Sequence, residues 1–338
     1  MRARRALSAV LLLMAGAGLA GCGGGEQERS AEEPAPVSES ELANVTVRIG
    51  DQKGGSQALL RAAGTLDDLP YKIEWSTFTS GPPLLEAASA GAVDIGRVGN
   101  TPPIFSAAAN ANISVVSAAQ RDVAGDALLV REDSPLREVG ELRGKRVGVA
   151  KGSSAHGQLL YLLQKAGLST QDVELSYLQP ADAYGAFTQG QVDAWAVWEP
   201  YSSQARLEAG ARVLADGVGT ANGYTFQVAG VGALADAGTN SAIRDYVVRL
   251  AEAQQWADTH RDEWARAWSA DTGLDPEVAR AAAQTFLDLP VPLDDAVVES
   301  EQKLADAFTE EGVLPGAVAF GDFVDRRFAA DLAPLLEP

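Results

Sequence analysis

Along most of this chain, short apolar runs alternate with stretches whose apolar residues recur every three or four positions. That is the pattern of strands alternating with helices. The first series predicts strand Val45–Gly50, helix Gln57–Ala63, strand Tyr71–Phe78, helix Pro82–Ala90, strand Asp94–Val98, helix Pro102–Ala109 and strand Ile113–Ala119. After a strand around Asp126–Arg131, the second predicts Lys145–Ala150, Ser154–Ala166, Val173–Leu178, Ala181–Gln189, Ala194–Trp198, Pro200–Ala209 and Arg212–Leu214. Such alternation implies α/β architecture with largely parallel sheets. Tyr224–Leu234 reads as a strand that crosses back to the first series. The remainder reads as helices, Asn240–His260, Asp262–Ala270, Pro276–Leu287, Asp294–Glu310 and Gly316–Phe328, whose one-sided apolar spacing suits packing on lobe one.

The two series share landmarks. Lys53 and Lys151, each in a K-G-x-S turn, lie 98 residues apart, as do Pro82 and Pro180, and Pro102 and Pro200. Gly91-Ala92-Val93-Asp94 answers Gly190-Gln191-Val192-Asp193 at an offset of 99. Landmarks in one order at nearly one offset indicate two similarly wired units. The expected layout is lobe one from residues 45–125 and 224–338, and lobe two from 126–223, with closure about the crossings near Asp126 and Gly223.

Residues 1–22 read as an export signal. Arg2, Arg4 and Arg5 precede an apolar stretch, Ala9–Leu19, too short to span a bilayer, and Leu19-Ala20-Gly21-Cys22 has the form of a lipobox with Cys22 as the lipidated residue. Cys22 is the chain's one cysteine, so the exported part has no disulfide. Residues 23–44, rich in Gly, Glu, Ser, Ala and Pro, are expected to form a flexible tether of roughly 25 Å root-mean-square span. The net charge of −19, with no basic stripe, excludes nucleic acid as a partner. An anionic ligand would have to be held by local dipoles instead of by the field of the whole molecule.

Three loops at the carboxyl ends of the first strands carry unusual chemistry, and in parallel sheets that is where ligands sit. They are Gln52-Lys53-Gly54-Gly55-Ser56, Thr79-Ser80-Gly81-Pro82-Pro83 and Gly99-Asn100-Thr101-Pro102-Pro103. Proline suits a first helical turn, and the Gly, Ser, Asn and Thr before it offer donors. They make either three capped helices or a donor-rich rim. In the second series, Ser153 or Ser154 falls at a helix N-cap with His156 in the first turn. The reading is either a plain cap or an anion site built from free N–H groups. Trp195 divides between core and cleft, while Trp198 and Tyr201 suit a cleft wall. Glu199 would accept from a ligand hydroxyl or amine, or pair across the lobes.

The blocks Gly50-Asp51-Gln52-Lys53-Gly54, Gly81-Pro82, Ala90-Gly91-Ala92-Val93-Asp94-Ile95-Gly96, Pro102-Pro103-Ile104-Phe105, Lys151-Gly152-Ser153-Ser154-Ala155-His156 and Val192–Tyr201 resemble the aliphatic sulfonate-binding proteins of ABC importers. The resemblance runs from about Val45 to Ala233, and Glu199 stands where relatives often carry Asp. It implies a two-lobed periplasmic-binding-protein type II fold with a mixed, mostly parallel sheet in each lobe. It also implies a monomeric lipoprotein receptor, without cofactor or metal, that captures an alkanesulfonate between the lobes and passes it to an ABC permease. The ligand-binding residues expected on this basis are Gln52, Gly54, Ser80, Gly81, Pro82, Asn100, Thr101, Ser153, Ser154, His156, Trp198 and Glu199. The helix starts at Ser153/Ser154, Gly81 and Thr101 would hold the sulfonate oxygens, and Pro82 and Trp198 the alkyl part.

Receptors of the same fold for taurine, nitrate or a thiamin-precursor pyrimidine are the alternatives, followed by a pyrimidine-synthesising enzyme and a tethered sensor. Against catalysis, Gly152-Ser153-Ser154-Ala155 lacks the G-x-S-x-G elbow, and two histidines with no spare cysteine exclude a His/Cys metal cluster.

Overall fold

A computed structural model of the chain describes residues 33–336. The signal reading and Cys22 lie outside the described residues. Among the described residues, eleven strands form two sheets. They are β1 (Thr46–Gln52), β2 (Lys72–Phe78), β3 (Ile95–Gly99), β4 (Ile113–Gln120), β5 (Ala127–Val130), β6 (Arg146–Val149), β7 (Glu174–Tyr177), β8 (Ala194–Val197), β9 (Arg212–Asp216), β10 (Tyr224–Gly230) and β11 (Leu289–Val291). The first sheet runs β11-β4-β10-β3-β1-β2 and the second β7-β6-β8-β5-β9.

Both sheets are wired alike. In each, three strands lie parallel, β2-β1-β3 and β7-β6-β8, and one strand from the crossing between lobes inserts antiparallel beside the third. Even a local hydrogen bond repeats: the Arg48 N–H donates to Asp94 Oδ2 at 2.7 Å, and the Arg146 N–H to Asp193 Oδ2 at 2.9 Å. The repeat seen as landmarks along the sequence is therefore a repeat of topology.

Each lobe has its own apolar interior. One face of the first sheet buries Val47, Ile49 and Ile95 against Ile243, Tyr246 and Leu250 of the helix Ala237–Thr259. Leu84, Val98, Ile104 and Phe226 form a second cluster with Leu304 and Phe308 of the helix Asp295–Glu310. In the second lobe Val147, Val149, Leu159 and Phe187 surround Trp195, which is a core residue. The crossings between lobes run side by side: the Arg121 N–H donates to the Gly223 carbonyl at 3.1 Å, and the Gly217 N–H to that of Val123 at 3.2 Å. Gly223 has φ +74°, and a Cβ there would lie 2.5 Å from the Arg121 oxygen, so this contact requires glycine.

Three sequence expectations give way. The tether, expected to extend to residue 44, ends earlier, because Glu39–Leu42 forms a helical turn closed by a 2.9 Å bond from the Ser38 N–H to Glu41, with Leu42 packed on the core. The expected helix Gly316–Phe328 is a single 3-10 turn, Phe320–Phe323. Its donors are captured from outside: the Phe320 N–H bonds Gln302 at 2.9 Å and the Asp325 N–H bonds the Val115 carbonyl at 2.9 Å. The helix expected to reach Leu287 stops at Thr285, and residues beyond it add β11 to the sheet edge, where Pro290 is tolerated.

Candidate functional site

The sheets face each other across a cleft, and the lobes are closed on it. A Cβ on Gly99 would lie 2.9 Å from Ser154 Cβ, and one on Gly157 2.4 Å from Thr101 Oγ1. Ser80 Oγ donates to Gln179 Oε1 at 2.9 Å, from one lobe to the other. Within lies a small cavity of about 30 Å³. Gln52, Lys53, Gly54, Gly55, Gly81, Arg97, Gly99 and Pro102 line it from the first lobe, Ser153, Ser154, Trp198 and Glu199 from the second, and Arg121 and Phe286 from the crossing and the C-terminal region.

The helix starts at the cleft are not equivalent. At Ser56–Ala63 the buried Asp51 carboxylate takes the donors, accepting from the N–H groups of Gln52, Ser56 and Gln57 at 2.8, 2.9 and 2.8 Å. Burial raises the Asp51 pKa, and these N–H bonds oppose the rise. In the helices Gly81–Ser89 and Thr101–Ala108 the second and third residues are prolines, which have no N–H to offer. The helix Ser154–Lys165 keeps its first-turn donors. Its N-cap Ser153 makes no side-chain cap, because Ser153 Oγ donates back to the Ala150 carbonyl at 2.7 Å. That start presents its first N–H groups and the Ser154 hydroxyl to the cavity, together with the positive end of the helix dipole.

Two guanidinium groups complete the cleft. Arg97, in the middle of β3, pairs with Asp288. Arg121 pairs with Asp126 at 2.9 Å, and both side chains are almost fully buried. The two cations lie 5.1 and 4.6 Å from the centroid of the Phe286 ring, Arg97 and Arg121 respectively. Burial alone would lower the Arg121 pKa; Asp126, Asp288 and Glu199 reverse this and leave it raised. Glu199 is also buried, which raises its pKa, while the Ser203 N–H and hydroxyl bond it at 3.1 and 2.8 Å and pull the other way.

Of the residues expected at the site, Gln52, Gly54, Gly81, Ser153, Ser154, Trp198 and Glu199 line the cavity. Five do not. Ser80 is engaged with Gln179, while Asn100 donates to Asn222 at 2.8 Å and accepts from Thr101 at 3.0 Å. Pro82 faces an outer groove. His156 turns into an aromatic nest, 5.8 Å from the Phe105 ring, 5.6 Å from Tyr177 and 5.1 Å from Phe308. Its Nδ1 accepts from the Gly152 N–H at 3.2 Å, and burial, helped by Lys151, pushes its pKa down to about 4.

Sequence reading missed Arg97, Arg121 and Phe286. A charged residue inside the apolar strand Ile95–Gly99 was a usable signal for Arg97. Nothing local marks Phe286, which reaches the cleft from the far end of the chain.

The model of the NMT1-like family matches residues 57–272. The chain belongs to the NMT1-like family. A relative from Escherichia coli strain K12 named for binding aliphatic sulfonates is 36% identical over 277 residues, covering 80% of this chain and 86% of the relative. Another of the same name, from Bacillus subtilis strain 168, is 31% identical over 95% of this chain and 94% of its own. Among solved structures, the alkanesulfonate-binding protein of Xanthomonas axonopodis pv. citri bound to MOPS superposes with a TM-score of 0.77 at 34% identity, covering 88% of this chain and all of that one. The two-lobed type II binding-protein fold of this chain is thus shared with that structure over 88% of its length. A desulfurization enzyme shares that fold at 18% identity and a TM-score of 0.62, so fold alone does not separate binding from catalysis.

Proposed function

We propose that this protein is an extracytoplasmic solute receptor that closes its lobes on an organic sulfonate and hands it to an ABC-type permease. The observation that carries the reading is the helix start at Ser154, which opens with its hydroxyl and the first N–H groups of its first turn into a cavity flanked by Arg97 and Arg121. A sulfonate stays ionised at any physiological pH, so the site needs donors and no proton acceptor. The full-length relatives named for aliphatic sulfonates support the choice of anion, and the structure bound to MOPS supports an organic group behind it. In this reading Ser154 and Gln52 meet the sulfonate oxygens with Gly54 and Gly81 at close backbone range, and Ser153 fixes the turn through its bond to the Ala150 carbonyl. Trp198 and Phe286 accept apolar atoms, and Glu199 faces the part of the ligand remote from sulfur. Ser80, Asn100, Thr101 and His156 shape the lobes without touching it.

The test is the Ser153→Ala, Ser154→Ala double variant. Charge-assisted hydrogen bonds contribute about 1.5–3 kcal/mol each, so loss of the Ser154 hydroxyl should lower affinity for alkanesulfonates at least tenfold while the circular dichroism spectrum is retained. Unchanged affinity would overturn the assignment of the site. Attachment to the membrane surface through a lipidated Cys22 belongs to the same proposal. Cys22→Ala should release the protein from the membrane pellet, and retention in the pellet would count against a lipid anchor.

A further inference from the structure

The cavity that would take an anion is walled by nearly balanced charge. Its two guanidiniums, Arg97 and Arg121, stand among three buried carboxyls, Asp126, Asp288 and Glu199. Asp51 is a further buried carboxyl, turned onto the N–H groups of its own loop, and Lys53 is exposed at the rim. Asp126 belongs to the same crossing as Arg121, so that pair is local. Asp288 reaches Arg97 from 191 residues along the chain. The edge strand β11 delivers it: Leu289 stands opposite Gln120 in the ladder, which puts Asp288 beside Arg121 at the end of β4.

Arg97 meets Asp288 through Nε and Nη2, both at Oδ2, and Oδ1 is buried with no hydrogen-bond partner. A buried carboxylate oxygen without a donor costs stability, and a carboxylate that served only to fasten Arg97 would use both oxygens in the two-pronged geometry that guanidinium favours. Its charge also reaches Arg121. Burial acts to lower the Arg121 pKa, and after Asp126 it is Asp288 that most opposes the fall. Phe286, on the same short segment, holds both guanidiniums against its ring. One segment therefore sets the place of both cations and the negative charge behind them.

We infer that Asp288 is a specificity-determining residue that restricts the cavity to singly charged anions. This rests on the sulfonate reading and adds the charge class of the ligand. In a buried, low-dielectric setting, repulsion between a ligand and a fixed carboxylate scales with the ligand's charge. A sulfonate meets that repulsion once, and the N–H groups at Ser154 outweigh it. A dianion meets it twice in the same space. Removing the carboxylate therefore helps a dianion more than a monoanion of the same shape.

Ethylphosphonate is the probe, because it has the shape of ethanesulfonate and carries one charge at pH 6 and two at pH 9. Titration calorimetry measures both ligands on full-length wild type, Asp288→Asn and Asp288→Glu. In wild type the phosphonate should bind within about tenfold of the sulfonate at pH 6 and about a hundredfold or more weaker than it at pH 9. Asp288→Asn should narrow the pH 9 ratio by about tenfold or more. Asp288→Glu keeps the charge and should leave the ratio within about threefold of wild type. A merely structural role for Asp288 would weaken both ligands in step and leave the ratio alone. An unchanged ratio in Asp288→Asn, or the same narrowing in Asp288→Glu, would overturn the inference and leave the sulfonate reading intact. If Asp288→Asn does not fold, the wild-type comparison decides: equal phosphonate binding at pH 6 and 9 overturns the inference, and the hundredfold loss upholds it. Failure of wild type to bind ethanesulfonate would overturn both.

Discussion

His156 offers a quantitative check on the description of the cleft's margin. Its imidazole is held neutral by burial among Phe105, Tyr177 and Phe308, with the Lys151 ammonium adding to the effect, and its pKa falls to about 4. In the unfolded chain a histidine titrates near 6.5. The folded state therefore binds this proton less well than the unfolded state. The stability it carries is complete above about pH 6.5 and is lost as pH falls toward 4. A gap of about 2.5 pH units at 1.36 kcal/mol each amounts to about 3 kcal/mol, of which about 2 kcal/mol is already lost at pH 5. His156→Asn keeps an acceptor for the Gly152 N–H and removes the titration. Its own packing defect lowers stability equally at every pH. Urea unfolding of both proteins at pH 7.5 and 5.0 separates the two effects. Wild type should lose about 2 kcal/mol more than the variant between these pH values. Parallel losses would refute a buried neutral His156 and reopen its place at the ligand.

Glu301 gives the mirror image. It is fully buried, accepts from Asn222 Nδ2 at 2.7 Å, and its pKa is pushed up to about 8 by burial, against that bond. A raised carboxyl contributes stability that is present below its unfolded pKa and lost as pH rises through 8. Between pH 5 and 9 wild type should therefore lose about 4 kcal/mol more than Glu301→Gln, and coincident pH profiles would exclude a buried protonated carboxyl. Gly99→Ala tests closure. Its new methyl group would meet Ser154 across the cleft at 2.9 Å, so affinity for any ligand enclosed by both lobes should drop tenfold or more with the unfolding midpoint little changed. Undiminished affinity would mean that this contact does not accompany binding.

What the sequence revealed of the fold follows from what is local. The alternation of period-two and period-3.6 apolar patterns fixes which segments become strands and helices, and the strands and helices of residues 45–216 fall close to their predicted bounds. The K-G-x-S turns are legible for a related reason. Gly54 and Gly152 both take positive φ, +68° and +72°, which few other residues tolerate. The cavity is harder to read because the crossings assemble it. Arg97, Arg121 and Phe286 meet only once the chain after β4 has crossed toward the second lobe and the C-terminal region has returned, and no pattern within a window of residues records that meeting.

The prolines after Gly81 and Thr101 fit a first helical turn, but their lack of an N–H decides which helix start can serve an anion. His156 was misplaced for the same reason as Phe286: the rings of Phe105 and Phe308 that hold it away from the cavity come from distant segments. The helix expected at Gly316–Phe328 failed because Gln302 and Val115 outcompete its own carbonyls for Phe320 and Asp325.

The central claim is that the cleft between the lobes is built for an organic sulfonate, and thermal unfolding against a ligand panel tests it most directly. The panel holds ethanesulfonate, butanesulfonate, octanesulfonate, MES, taurine, nitrate, sulfate and a thiamin-precursor pyrimidine. A ligand at a hundredfold its dissociation constant stabilises by about 2.7 kcal/mol, which for a folded region of this size moves the midpoint by about 4 °C. The account predicts such shifts with the alkanesulfonates and none with sulfate or nitrate. Shifts confined to taurine, nitrate or the pyrimidine would contradict it and assign the cleft to a different ligand of the same fold.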